Sequence, residues 1–155
     1  LLRTFVAEPF YIPSPSMQPA LWPGDRVIVD KLRYRFADPR RGDVVVFDKP
    51  ANAGGSAEVK NLIKRVIAVP GDEIEARQGV VYRNGEVLVE PYLQPGTVTT
   101  DIPRQRLAPD RYWLMGDNRT VSEDSRLFGP VPASVLTGRA VARVWPASDA
   151  GWVRR

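Results

Sequence analysis

The sequence predicts an all-β protein of mainly antiparallel sheets, rich in coil, with one or two short helices. Three observations predict it. The apolar runs are short and are punctuated by 15 Pro and 12 Gly, a pattern that suits strands better than helices. Asn84-Gly85 separates two alternating runs, and both central positions of a type I′ hairpin turn need the positive φ that Asn and Gly tolerate. One segment alone, Pro132–Thr137 followed by Gly138, carries the start and stop of a short helix.

The elements follow in order. Strands are expected at Asp25–Lys31, which centres on Val27-Ile28-Val29, and at Asp43–Phe47, where three valines and a phenylalanine follow Asp43. Leu62–Val69 is the longest. At strand period Leu62, Lys64, Val66 and Ala68 share one face, and Ile63, Arg65, Ile67 and Val69 the other. Glu73–Arg77, Gly79–Arg83 and Glu86–Glu90 form a run of hairpins around Asn84-Gly85. Tyr112–Met115 and Arg139–Trp145 complete the set. Pro50–Ala57 reads as a flexible loop and Gln94–Asp110 as a Pro-rich connection. The expected division is a β core from residues 1–72 and 111–155, with 73–110 as an inserted β-hairpin lobe. No internal repeat is visible, and the length of 155 residues suits this one core.

Composition limits the chemistry. There is no histidine and no cysteine. That excludes a Ser-His-Asp triad, a thiol nucleophile, a disulfide framework, and His or Cys metal sites. Acid–base work falls to carboxylates, lysine, tyrosine or hydroxyls. The 43% hydrophobic and 26% charged content is that of an ordinary globular chain. The net charge of +4 comes with 18 Arg against four Lys: Lys31, Lys49, Lys60 and Lys64. The pI near 9.7 is compatible with a solvated surface, an anionic membrane or nucleic acid. No apolar run reaches the ~18 residues of a membrane span. The chain opens with Leu1-Leu2 and no Met, which predicts an upstream segment.

Three segments have unusual local chemistry. In Ile12–Pro19 two serines sit among three prolines, so stiff backbone presents their hydroxyls; a structural Pro-rich turn is the alternative. In Asn61–Asp72 a single lysine, Lys64, lies on an otherwise apolar strand face. It must either snorkel or lose its charge. The polar run Gly116–Arg126 lacks the alternating acidic ligands and central Gly of an EF-hand; alone it reads as a polar loop in which Asp124 and Arg126 can pair. Together they supply one workable catalyst without histidine: a serine hydroxyl served by a lysine whose burial lowers its pKa.

Here the sequence resembles a known family. FYIPSPSMQPAL (Phe10–Leu21), RGDVVVF (Arg41–Phe47), KRVIAVPGD (Lys64–Asp72) and GDNRTVSEDSRLFGPV (Gly116–Val131) are similar, in order, to the motif boxes of bacterial type I signal peptidases. The resemblance begins at RTFVAEPF (Arg3–Phe10), which in that family follows a transmembrane anchor. It implies a signal-peptidase-like β fold and a serine endopeptidase that removes signal peptides from exported preproteins after small residues (Ala-X-Ala), with no cofactor. By matching position it implies Ser16 as nucleophile and Lys64 as general base. Ser14 and the Ser16 amide would form the oxyanion hole. Ser122 would position the lysine, and Asp124 and Arg126 would support the site from behind. Phe10, Ile12, Met17, Leu21 and Ile63 are the substrate-pocket candidates, with plain core residues as their alternative. Pro15 stands where many members have Gly, Ala20 where Thr is frequent, and Thr120-Val121 replaces a more polar pair.

The resemblance further implies a catalytic domain on the outer side of the cytoplasmic membrane, touching lipid through an apolar surface; a monomer is expected. Leu1, Leu2, Phe5, Phe10, Tyr11 and Trp22 near the start, and Trp145 and Trp152 with Arg154 and Arg155 near the end, are the candidates. Trp113 and Trp145 are expected in the core, Trp22 and Trp152 at the surface. Two rivals remain. A self-cleaving repressor-type Ser-Lys protease would carry a helix-turn-helix and its own cleavage site, and neither is visible. A basic β module binding nucleic acid would need aromatics interleaved with cations along its strands. Residues 33–36 (Arg-Tyr-Arg-Phe) give one short hint of that, so no nucleic-acid partner is expected.

Overall fold

Val, Ile, Phe and Tyr at alternate positions build pleated ribbons that bury one or both faces, and the chain forms twelve such strands across residues 7–155, which the computed structural model describes. They are β1 (Ala7–Tyr11), β2 (Arg26–Asp30), β3 (Val44–Asp48), β4 (Asn61–Ala68), β5 (Glu73–Arg77), β6 (Val80–Arg83), β7 (Glu86–Val87), β8 (Ile102–Arg106), β9 (Arg111–Met115), β10 (Val131–Pro132), β11 (Leu136–Trp145) and β12 (Gly151–Trp152). Two one-turn helices, α1 (Arg33–Phe36) and α2 (Ser125–Phe128), and a few 3-10 turns complete the fold. All strand pairings are antiparallel. The fold class is all-β.

The strands make two sheets. The larger runs β1-β2-β11-β3-β4-β9-β10, with β12 added beside β11; the smaller runs β7-β6-β5-β8. The chain leaves the large sheet after β4, builds the small one and returns as β9. Asp72 sits at the first crossing, where its carboxylate accepts from Arg41 (3.0 and 2.5 Å), the Val69 amide (3.0 Å) and Asn84 (2.9 Å). The turn at Asn84 (φ 54°) and Gly85 (φ 81°) joins β6 to β7, with the positive φ at both positions that this dipeptide signals.

Three buried clusters fill the interior. Ile12, Met17, Leu21, Val27, Val29, Val44, Val46, Ile63 and Ala140 make the first. Val45, Phe47, Val66, Leu114 and Phe128 lie in another, and Ile67, Ala68, Ile74, Trp113 and Met115 in the one that joins the sheets. β4 supplies all three.

The structure corrects several expectations. The helix expected at Pro132–Thr137 is a single 3-10 turn at Ala133–Val135, and the chain is already in β11 from Leu136. Gly138 is not a helix stop. A Cβ there would stand 2.7 Å from the Asp30 carbonyl oxygen, so glycine lets β11 approach β2. The face sharing expected of Leu62–Val69 holds only as far as Val66. A bulge between Val66 and Ala68 sends both Ile67 and Ala68 into the cluster between the sheets. The expected strand Glu86–Glu90 stops at Val87. β1 and β8, unexpected from the sequence, are edge strands carrying Pro9 and Pro103, and edges tolerate proline because one side of the ladder is unpaired. Residues 33–36 form a helical turn. Tyr34 packs inward there, its hydroxyl donating to Asp43 (3.0 Å), so the segment that gave the short hint of a nucleic-acid-binding strand is not a strand.

Candidate active site

Ser16 lies in the 3-10 turn Pro15–Met17, whose proline at the first position suits the start of a turn. Ile12 and Met17 anchor this turn in the core. Lys64 sits in the middle of β4, opposite Val45. Across the sheet from each other, paired residues point to the same face, and Leu62, Val66 and Val45 share one apolar cluster. Both polar groups are buried: Ser16 is 5% exposed and Lys64 3%. Lys64 Nζ donates to Ser16 Oγ at 2.8 Å, although the residues are 48 apart in sequence. Ser14 Oγ donates to Ser16 Oγ at 3.2 Å.

Burial pushes the Lys64 amine down to about 8, and the Asp124 and Glu123 carboxylates oppose that shift. Asp124 is itself buried. Its desolvation opposes ionisation, but Arg126, the Gly116 amide and the Ser122 hydroxyl outweigh it and hold its carboxyl below the usual carboxylate range. Arg126 grips it bidentately, at 2.9 Å on each oxygen, and Asp124 also caps α2 through the Arg126 amide (3.2 Å). The Ser122 hydroxyl donates to Asp124 Oδ2 at 2.8 Å, so the hydrogen bond described for this serine runs to the carboxylate and not to Lys64. Asn118 donates its backbone N–H to Ser16 O (3.0 Å) and its side-chain amide to Pro15 O (3.1 Å).

A cleft of about 390 Å³ opens over the pair, lined by Phe10, Pro13–Ser16, Leu62–Lys64, Val121 and Glu123. Lys49 and the loop residues Gly54–Ser56 form its outer wall. Of the pocket candidates, Phe10 and Ile63 line this cleft. Ile12 and Met17 are fully buried in the first cluster, the position their alternative as core residues describes. Leu21 borders a different cavity, with Pro19, Arg65, Tyr92 and Trp152.

Sequence reasoning gave no role to Arg65, Asp117 or Arg119, although all three stand inside the quoted motifs. Arg65, 1% exposed, donates to both Asp117 oxygens (2.9 and 2.7 Å) and to the carbonyls of Gly42 and Arg154. An arginine directly after a buried lysine on a core strand was the available signal. Among the described residues no cluster of three or more acidic side chains could hold a metal ion.

A buried hydroxyl paired with a buried amine of lowered proton affinity beneath an apolar cleft defines a class: serine hydrolases that work without histidine. Residues 1–145 match the family described as "Signal peptidase, peptidase S26". The chain is 44% identical over 154 residues to "Probable signal peptidase I-2" of Synechocystis sp., covering 97% of this chain and 68% of that protein. It is 42% identical over 152 residues to the signal peptidase I of Leptolyngbya laminosa, covering 97% of this chain and 74% of that one. The crystal structure of a signal peptidase I from Enterococcus faecalis superposes with a TM-score of 0.54 at 29% identity, over 66% of this chain and 97% of that one. The chain belongs to the signal peptidase family, peptidase S26, and is a serine peptidase of that family.

Proposed function

We propose that this chain removes N-terminal signal peptides from exported preproteins after small residues, with Ser16 as nucleophile and Lys64 as general base. The observation that carries the reading is the 2.8 Å contact between Lys64 Nζ and Ser16 Oγ, both buried, at the floor of the apolar cleft. The neutral amine takes the hydroxyl proton as Oγ attacks the scissile carbonyl. The negative oxygen of the tetrahedral intermediate falls to Ser14 Oγ and the Ser16 amide, donors worth roughly 2.7–4 kcal/mol each in comparable sites. Collapse breaks the C–N bond, and Lys64 hands the proton to the leaving amine. Water, deprotonated by the same lysine, then hydrolyses the acyl-enzyme and frees Ser16. Asp124, Arg126 and Ser122 brace the loop beside the lysine. An extended substrate fits the cleft between Pro13–Ser16 and Leu62–Lys64 as an added strand, with Phe10 and Ile63 limiting side-chain size.

In this reading residues 1–72 and 111–155 are the catalytic core and 73–110 an inserted lobe. The enzyme acts as a monomer on the outer face of the cytoplasmic membrane, held there by an anchor and touching lipid. Among the described residues no helix is long and apolar enough to cross a membrane.

Incubation with a preprotein whose signal ends in Ala-X-Ala tests the reading. The protein releases mature product, and Ser16→Ala and Lys64→Met lower kcat by roughly 10⁴-fold or more, the scale seen when a catalytic group is removed. Activity rises with pH as Lys64 deprotonates through about 8. Cleavage that persists in either variant, or an acidic optimum, overturns the assignment.

A further inference from the structure

Arg119 is buried, 3% exposed, and its guanidinium touches neither Ser16 nor Lys64. Nε donates to Gly116 O (2.9 Å), Nη1 to Thr99 Oγ1 (2.8 Å) and Glu90 Oε1 (3.2 Å), and Nη2 to Glu90 Oε2. Glu90 and Thr99 lie in the segment that joins β7 to β8 in the smaller sheet. Tyr92, in the same segment, donates its hydroxyl to Glu90 Oε2 (2.9 Å), and Arg65 stacks on its ring with Cζ 3.9 Å from the centroid. Arg65 is the neighbour of Lys64 on β4 and holds Asp117 bidentately. One segment of the smaller sheet therefore reaches both halves of the site. Through Arg119 it grips the Gly116–Arg119 loop, whose Asn118 amide donates to Ser16 O. Through Tyr92 it grips the residue next to Lys64.

The network buries two arginines against two carboxylates. Such pairs add little net stability over an apolar plug of the same volume, because desolvation offsets their attraction. What bidentate arginine pairs supply is direction. We propose that Glu90, Tyr92 and Thr99 are positioning residues of the peptidase: docked on Arg119 and Arg65, they set the loop that holds Ser16 and the stretch of β4 that carries Lys64. The proposal rests on the Ser16–Lys64 reading. The charged groups acting on Lys64 are Asp124, Glu123 and Asp117 with Arg126; Thr99 is neutral, so replacing it reaches the lysine through geometry alone.

The test uses the purified chain carrying Thr99→Val, which keeps the shape and removes the acceptor, Thr99→Ser, which restores it, and Glu90→Gln. Steady-state kinetics on a soluble preprotein give kcat and KM. Carbon-13 NMR of reductively methylated lysines gives the Lys64 titration without turnover. Thr99→Val lowers kcat about 5-fold, the scale of one hydrogen bond, with KM unchanged, and Thr99→Ser restores it. Glu90→Gln lowers kcat by roughly 10- to 100-fold; if it does not fold, the Thr99 pair decides. In Thr99→Val the Lys64 titration moves upward, toward the ordinary lysine value, as water reaches a loosened site. A lowered melting temperature with kcat and the Lys64 titration both as in the parent overturns the proposal. Failure of the dyad reading looks different: Ser16→Ala then cleaves like the parent, while the lysine titration still reports on positioning.

Discussion

Lys31, Lys49 and Lys60 keep contact with water, whereas Lys64 is taken out of it. That has a measurable signature. Between about 8 and the ordinary 10.5 the unfolded chain binds a proton that the folded chain has shed, so stability rises with pH across this window. Below it the folded state carries a buried ammonium, at a cost of roughly 3 kcal/mol. Lys64→Met, similar in length and apolar, is therefore expected to unfold at higher urea than the parent at pH 7 and to lose the rise in stability between pH 8 and about 9.5, below the range where tyrosines ionise. Urea titrations across that range check it, and parallel pH profiles for the two proteins would contradict a depressed lysine. At this scale the serine and the lysine were legible: the absence of histidine left few bases, and the order of the motifs pointed to Ser16 and Lys64. The roles of Arg65 and Arg119 were not, because their partners Asp117 and Glu90 lie 52 and 29 residues away.

Elements set how closely the site packs. Gly116 ends β9 against the turn that carries Ser16, and a Cβ there would stand 2.6 Å from both Ser16 O and Ser122 Cβ. Both contacts are too short, so Gly116→Ala must push the Ser16 turn away from the Ser122 loop. A displacement approaching 1 Å costs on the order of 10²-fold in rate. Gly116→Ala is thus expected to keep its far-ultraviolet circular dichroism while losing about that much kcat on preprotein, and an unaltered kcat would show that the turn tolerates the shift. The same scale explains which elements the sequence hid. β3 and β9 announce themselves by apolar content, and β5 by the alternation of Ile74 and Ala76 with charged residues. β1 and β8 do not, since an edge strand exposes much of its length and admits proline. The bulge in β4 was invisible because Val66, Ile67 and Ala68 are all apolar and all buried, and alternation carries no information where consecutive positions are all buried.

At the scale of the whole molecule, large aromatics remain in water. Trp22 is half exposed and Trp152 83% exposed. Trp22 donates its indole N–H to Pro19 O, and Pro19 and Trp152 line one cavity with Arg143 and Arg154, the ring-and-cation pairing on which the proposed lipid contact rests. Trp145, expected in the core, is exposed at the end of β11 with Arg26 over its ring; Trp113 is buried as expected. Leu1, Leu2 and Phe5 lie outside the described residues. The double variant Trp22→Ala, Trp152→Ala is expected to bind anionic liposomes about 10-fold more weakly, given the apolar area removed; sedimentation with unchanged binding would remove these residues from the lipid surface. By itself the sequence determined what rests on composition and local order: an all-β chain, a tight turn at Asn84-Gly85, no histidine or thiol chemistry, and a serine and a lysine in family motifs. Only the tertiary structure decided that Lys64 meets Ser16 in a buried pair beneath a cleft, that Ile12 and Met17 are core, that Trp145 faces water and that the smaller sheet reaches the site through Arg119. Each of these depends on which distant segments pack together, and burial, proton affinity and ion pairing follow from that packing, not from a residue's neighbours along the chain.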